Sequence, residues 1–405
     1  MTDRPEVRFL DRTTPPHIVT LVLFAGLSAM AMNIFLPSLT TMTEWFATDY
    51  RLMQLSVALY LAVNAVLQVV IGPISDRYGR RPVILWSCAL FMLATLGCIL
   101  SPTAEIFLIF RMGQAVIVTG IVLSRAIVRD MVPDSQAASM IGYVTMGMAI
   151  VPMVAPAVGG LLDEAFGWQA SFWLMLLCGG LVLVLAWADQ GETATARSAS
   201  FAAQFRQYPD LLRARRFWGY SLCAGFTSGA FFAYLGGAPF VGSGVYGLDP
   251  SELGIYFGAP ALGYALGNYL SGRFSMRVGI NAMILAGSLA AASGLGVSLA
   301  LSYAGFGSAE LFFAFMAFVG LGNGLVLPNA MAGLLSVRPH LAGTASGLGG
   351  AIMIGAGAAL SALAGALLTP ASGAFPLQWI MFLTTCASVL TILYVRHRAR
   401  QLGAA

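Results

Sequence analysis

From about residue 17 onward, long apolar stretches alternate with short polar joints. The stretches run near 17–39, 52–72, 82–101, 105–127, 137–162, 169–188, 217–240, 251–272, 280–303, 309–336, 341–368 and 375–395. Crossing about 30 Å of hydrocarbon takes roughly 20 apolar residues as a helix. The runs are continuously apolar and lack period-two alternation, which predicts helices rather than barrel strands. The expectation is an all-α membrane protein with twelve transmembrane helices. One joint differs in kind: residues 189–216 form a long polar segment with six stretches on either side. That divides the chain into an N-terminal six-helix bundle (1–188), a linker (189–216) and a C-terminal six-helix bundle (217–405). The latter part of the linker, FAAQFRQYPDLLRARR, reads equally as a basic amphipathic helix on the membrane surface and as a plain connector. ISDRY (Ile74–Tyr78) and LSGRF (Leu270–Phe274) stand at equivalent joints, which suggests two parallel repeats, a transporter architecture.

Composition fits only that class. Of 405 residues, 58% are hydrophobic and 9% charged, with mean hydropathy +0.82. A soluble chain of this length needs more charge to cover itself. All 21 basic residues are arginine. With the N-terminus in the cytoplasm, nineteen of them fall on or near the inner side, leaving Arg51 outside and Arg111 within a span. The positive-inside rule then puts both termini in the cytoplasm. The basic excess speaks of topology and anionic lipid, and no nucleic-acid partner is expected. Cys88, Cys98, Cys178, Cys223 and Cys386 lie singly in apolar runs and read as small buried hydrophobes. The three histidines are too scattered for a metal site. Residues 1–16 lack the short apolar core and small-residue end of a cleavable signal.

The joint between the second and third stretches reads GPISDRYGRRPV (72–83). Gly72 is expected to let two helices approach closely, and Gly79 to permit a turn closed to other residues. Asp76, Arg77, Arg80 and Arg81 form a charge cluster there, with Arg129 and Asp130 nearby at the end of the fourth span. Such a network is a latch between two states or a solvated topology anchor. This joint resembles the loop signature of the major facilitator superfamily. RMGQ (111–114) is similar to the superfamily's fourth-span motif, with Ala115 where glycine is usual. VPMVAPAVGG (151–160) is similar to its fifth-span antiporter motif, through Pro152, Pro156, Gly159 and Gly160, with Ala155 where glycine is usual. GWQASFW (167–173), GGAPFV (236–241), HLAGTASGL (340–348) and NIFLP (33–37) resemble the Bcr/CflA branch of bicyclomycin-resistance and chloramphenicol/florfenicol exporters. The resemblance implies a multi-pass, monomeric drug exporter of the bacterial cytoplasmic membrane, working by alternating access in exchange for protons.

One departure bears on that implication. The branch carries an acid in the first span, four places before the proline; here that position is Asn33. All seventeen Asp and Glu residues fall in loops or near helix ends. A buried carboxyl is suited to proton exchange because desolvation raises its pKa toward neutrality. An amide does not titrate. Arg111 is then the only charge deep in a span. It is either a substrate contact favouring anionic or electron-rich groups, with Gln114 and Asn33 as neutral neighbours, or a residue braced on backbone carbonyls. Further candidates for a substrate cavity are Tyr60, Asn64 and Gln68 on one face of span two, Tyr143, and Phe231, Phe232 and Tyr234 in span seven. Tyr256, Asn268, Asn323 and Asn329 complete them. Each has a plain packing role as its alternative. Three functions follow: an exporter of a small amphipathic compound, a uniporter or importer of an organic anion held by Arg111, and an enzyme or receptor. No reactive constellation supports the last, and no cofactor is expected, since no G-x-x-x-x-G-K-[ST] run is present.

Overall fold

The structure is a computed structural model describing residues 7–132, 134–194, 208–338 and 341–401. Every expected span is helical, and most helices run several residues beyond the apolar core of the stretch. Span one is Ile18–Asn33, continued through a 3-10 turn at Leu36–Ser38 into Leu39–Trp45. Pro37 makes that break, having no N–H to give the preceding turn. Span two is Tyr50–Tyr78 and span three Arg80–Ile99. Span four comprises Ala104–Gln114 and Thr119–Met131 around a 3-10 turn. Spans five and six are Asp134–Phe166 and Gln169–Asp189.

The second half repeats the order. Span seven is Arg215–Pro239, and span eight is Pro250–Tyr256 followed by Ala259–Val278. Spans nine to twelve are Ile280–Tyr303, Ala309–Val337, Ala342–Leu367 and Phe375–Gln401. Among the described residues, nine helical stretches are long and apolar enough to cross a membrane by themselves. Part of the proposed linker helix lies outside the described residues. What is described is a short helix, Tyr208–Leu212, anchored by buried Leu211.

The duplication is visible in the backbone, in a register four residues away from the expected one. Gly79 and Gly279 both carry positive φ, +99° and +89°, with nearly equal ψ. This pairs Gly72, Ser75, Arg77 and Gly79 with Gly272, Ser275, Arg277 and Gly279, so that ISDRY matches FSMRV and not LSGRF. A Ser-x-Arg pair recurs one helical turn apart in the second half, and only the glycine turn decides between the two. A second repeat joins spans four and ten. Thr103 and Ser308 each cap their helix through the side-chain oxygen, ahead of TAEIFLIF and SAELFFAF.

The chain termini and the linker define one face of the molecule. The buried Asp189 carboxylate accepts from the Leu10 and His17 amides at 2.7 and 2.8 Å and from the Thr20 hydroxyl at 2.6 Å, binding the N-terminal segment to the end of span six. At the opposite, distal face the halves touch backbone to backbone. A Cβ at Gly254 would stand 2.5 Å from the Pro156 carbonyl, and one at Gly160 would collide with that of Pro250. Tyr50 donates to the Gly236 carbonyl at 2.8 Å. Gln54 donates to the Ser361 carbonyl and hydroxyl at 2.6 and 2.9 Å. Toward the terminal face the packing is looser: a Cβ at Gly72, Gly272 or Gly347 would meet nothing within 4 Å, while one at Gly350 would stand 2.9 Å from Gln68 across the halves. The close approach expected at Gly72 is thus not made in this arrangement.

Candidate substrate cavity and gating network

Between the halves lies a cavity of about 250 Å³. Span one contributes Ser28, Ala29, Met32 and Asn33, span two Tyr60 and Asn64, and span four Val118 and Ile121. From the second half come Ser228, Phe231, Phe232 and Leu235 of span seven, with Tyr264 and Asn323. Among the described residues, hydroxyls and amides supply the polarity of the lining, and no charged side chain lines the cavity. Such a wall binds an apolar or aromatic body and fixes it with a few hydrogen bonds.

Asn33 ends its helix next to the break before Pro37, which turns it toward the space between the halves. Its amide donates to the Ala29 carbonyl at 2.7 Å. Asn64 accepts from Gln68 at 2.8 Å. Asn323 donates to the Val319 and Thr227 carbonyls at 2.9 and 3.3 Å, leaving its buried Oδ1 without a partner.

Arg111 stands elsewhere. Its side chain is 1% exposed and does not line the cavity. The guanidinium carbon lies 4.2 Å from the ring centres of both Phe35 and Tyr60. Nη1 donates to Gln114 at 2.7 Å, Nε to the Ser56 carbonyl at 3.3 Å, and Nη2 has no partner. Gln114 in turn donates to Thr95 at 2.7 Å. Two aromatic faces thus stand where a counter-ion would, each attracting the cation through its ring quadrupole. The geometry matches the braced alternative, and Tyr60 separates the charge from the cavity.

Of the remaining binding candidates, Tyr60, Asn64, Phe231, Phe232 and Asn323 meet at the cavity together with Asn33. Tyr143 is 59% exposed and is not among the lining residues. Tyr234 and Tyr256 belong to an aromatic stack on Phe313, with ring centres 6.2 and 5.0 Å away. Pro152, expected only as part of a helix motif, is a lining residue, while Pro156, Gly159 and Gly160 serve close packing at the distal face. The contributions of Ser28, Ser228 and Tyr264 were not legible, because single hydroxyls in apolar spans carry no signal of the direction they face.

The charge cluster forms a compact network. Arg80 reaches Asp76 at 2.5 Å and Asp130 at 3.1 Å and also bonds Ser75. Glu192, at the start of the linker, accepts from the Arg80 and Arg81 amides at 2.8 and 3.3 Å. Arg81 donates to the Trp187 carbonyl at 2.9 Å. Exposed Arg77 stacks on Tyr78, and Arg129 is exposed. Among the described residues, each of these ties lies within the first half and its linker, so in this arrangement they fasten no contact between halves. Glu192 and Ser75 were missed by motif reading because they lie outside the residues that motif makes charged.

Two helical halves around an apolar cavity, packed backbone to backbone at the distal face, define a polytopic membrane transporter. The chain belongs to the Major Facilitator Superfamily, whose family model matches residues 21–362. It is 30% identical to multidrug resistance protein D of Escherichia coli, over 95% of this chain and 97% of that protein. It is 27% identical to a bicyclomycin resistance protein homologue of Haemophilus influenzae, over 96% and 98%. A crystal structure of a peptide transporter in complex with sulfate, 13% identical, shares the fold with a TM-score of 0.77 over 95% of this chain and 94% of that one. The protein is a multi-pass transporter of the bacterial inner membrane and acts on small molecules, not as an enzyme.

Proposed function

We propose that the protein exports a small amphipathic compound with an apolar body, by alternating between the present arrangement and one open at the distal face. The arginine-rich terminal face is taken as cytoplasmic, so the cavity here is the loading state. The carrying observation is a cavity between halves that, among the described residues, is lined by no charged side chain. The drug-resistance relatives favour export of such compounds. Anion transport at Arg111 is not favoured, because that guanidinium is packed between Phe35 and Tyr60. With Asn33 at the cavity wall, proton exchange there has no carboxyl to act on, so ligand binding is independent of pH. The test is ligand binding and flux by reconstituted protein between pH 5.5 and 8.5, with and without an imposed proton gradient. Flat binding with substrate export supports the reading; a titration midpoint in binding within that range overturns the uncharged cavity.

A further inference from the structure

One cation has been left out of both the cavity and the charge network. Arg125 lies four residues beyond Ile121 and seven beyond Val118, which both line the cavity. That spacing keeps all three on one face of span four, with Arg125 about 6 Å nearer the terminal face than Ile121. Arg125 is half-buried, and across the halves the ionisable group whose field reaches it is the hydroxyl of Tyr264, itself a cavity residue. Its other ionisable neighbour is Arg129, of like charge. Among the described residues, no carboxylate pairs with it.

Nor does the opposite half have a carboxylate to offer. Beyond the linker, the acids are Asp249, Glu252 and Glu310, all in the distal caps of spans eight and ten. On the terminal side, Asp76 and Asp130 are held by Arg80, and Glu192 is held by backbone amides. A long arginine near a helix end ordinarily extends into water, and in an isolated span that would be its whole role. Here it shares a helix face with Val118 and Ile121 of the cavity wall.

We propose that Arg125 is the anchor of an anion-accepting subsite at the terminal mouth of the cavity. It takes a carboxylate, sulfonate or phosphate attached to an apolar body seated among the cavity residues. The guanidinium offers forked donors that match such oxygens. The inference rests on the reading of the cavity as the ligand site, and it narrows the substrate to amphiphiles with an acidic end.

Two probes of one skeleton test it: N-phenyl-1-naphthylamine, which is neutral, and 1-anilinonaphthalene-8-sulfonate, which adds a sulfonate. Binding is measured on full-length protein in zwitterionic nanodiscs, corrected with empty discs. The wild type is expected to prefer the sulfonate about tenfold or more, the effect of a charge-assisted hydrogen bond. Arg125→Gln should bring the ratio near one, and Arg125→Lys should restore part of it, which also guards against a misfolded variant. An unchanged ratio in Arg125→Gln overturns the subsite while leaving the cavity in place. Failure of the wild type to bind the neutral probe overturns the cavity reading and the subsite with it. Exchange of the disc lipid for phosphatidylglycerol separates the sources of the anion. Loss of the sulfonate preference in the wild type alone assigns the subsite to a lipid headgroup, and its persistence assigns it to a solute.

Discussion

Asn33 and Arg111 were expected to be neighbours in the pathway, and the structure separates them by the turn that contains Phe35. Asn33 keeps its amide on its own helix and faces the cavity. Asn33→Asp would put a carboxyl in an apolar wall, where desolvation raises its pKa. Below that raised pKa the group is neutral and binding resembles wild type. Above it the cavity holds an anion, so a neutral ligand binds more weakly and a cationic one more strongly. A pH profile of neutral-ligand affinity should therefore fall with rising pH in the variant and stay level in the wild type. Arg111 poses a different question, that of stability. The register set by Thr103 and Ser308 places buried Met316 at the position matching Arg111, so an apolar side chain suits the site's counterpart. Tyr60→Leu should destabilise the protein by about 2 kcal/mol in detergent unfolding titrations. In an Arg111→Met background that penalty should shrink by about 1–2 kcal/mol, the contribution of a desolvated cation–π contact.

At the scale of helices, hydropathy announced twelve spans, because each must cover the same thickness of hydrocarbon. Their facing directions were much less legible. A membrane helix is apolar all round, so exposed Tyr143 and buried Tyr60 look alike in sequence. The repeat register failed for a related reason: serine and arginine recur at a helical turn's spacing, and only the positive φ of Gly79 and Gly279 fixes the match. Glycines were legible as close-packing devices, but not as devices of one state. Gly254 is such a device, since a methyl there would press on Pro156 and Ala157. Gly254→Ala should therefore disfavour closure at the distal face and populate the alternative arrangement. In a variant lacking the five native cysteines, alkylation of Gly272→Cys from the terminal side should slow by about twofold, the effect of a shift of about 1.4 kcal/mol on an open arrangement that starts about tenfold favoured. An unchanged rate would mean that spans five and eight separate without this contact.

Across the whole molecule the charges are distributed one-sidedly. Asp76 and Asp130 on the terminal face belong to the first half, while beyond Arg216 that face holds arginines, Arg273, Arg277 and Arg338 among them. When the terminal face closes, any carboxylate crossing between halves must therefore come from the first half. In the present arrangement Arg80 holds two of these carboxylates, Asp76 at 2.5 Å and Asp130 at 3.1 Å. The network is thus stored within one half and becomes a latch only if Arg80 gives up a partner to the second half. Because Asp76 is 35% exposed and its pairing with Arg80 lies at the water-facing end of the helix, the static pair itself adds little to stability. Its effect should appear in exchange between states. Asp76→Asn keeps the side chain's size and a hydrogen-bonding oxygen but removes the charge that the second half's arginines can attract. Turnover should fall about tenfold, equivalent to about 1.4 kcal/mol on the closing step, with KM within about twofold and the melting temperature little changed. A fall in affinity with unaltered turnover would instead place Asp76 on the ligand's path into the cavity.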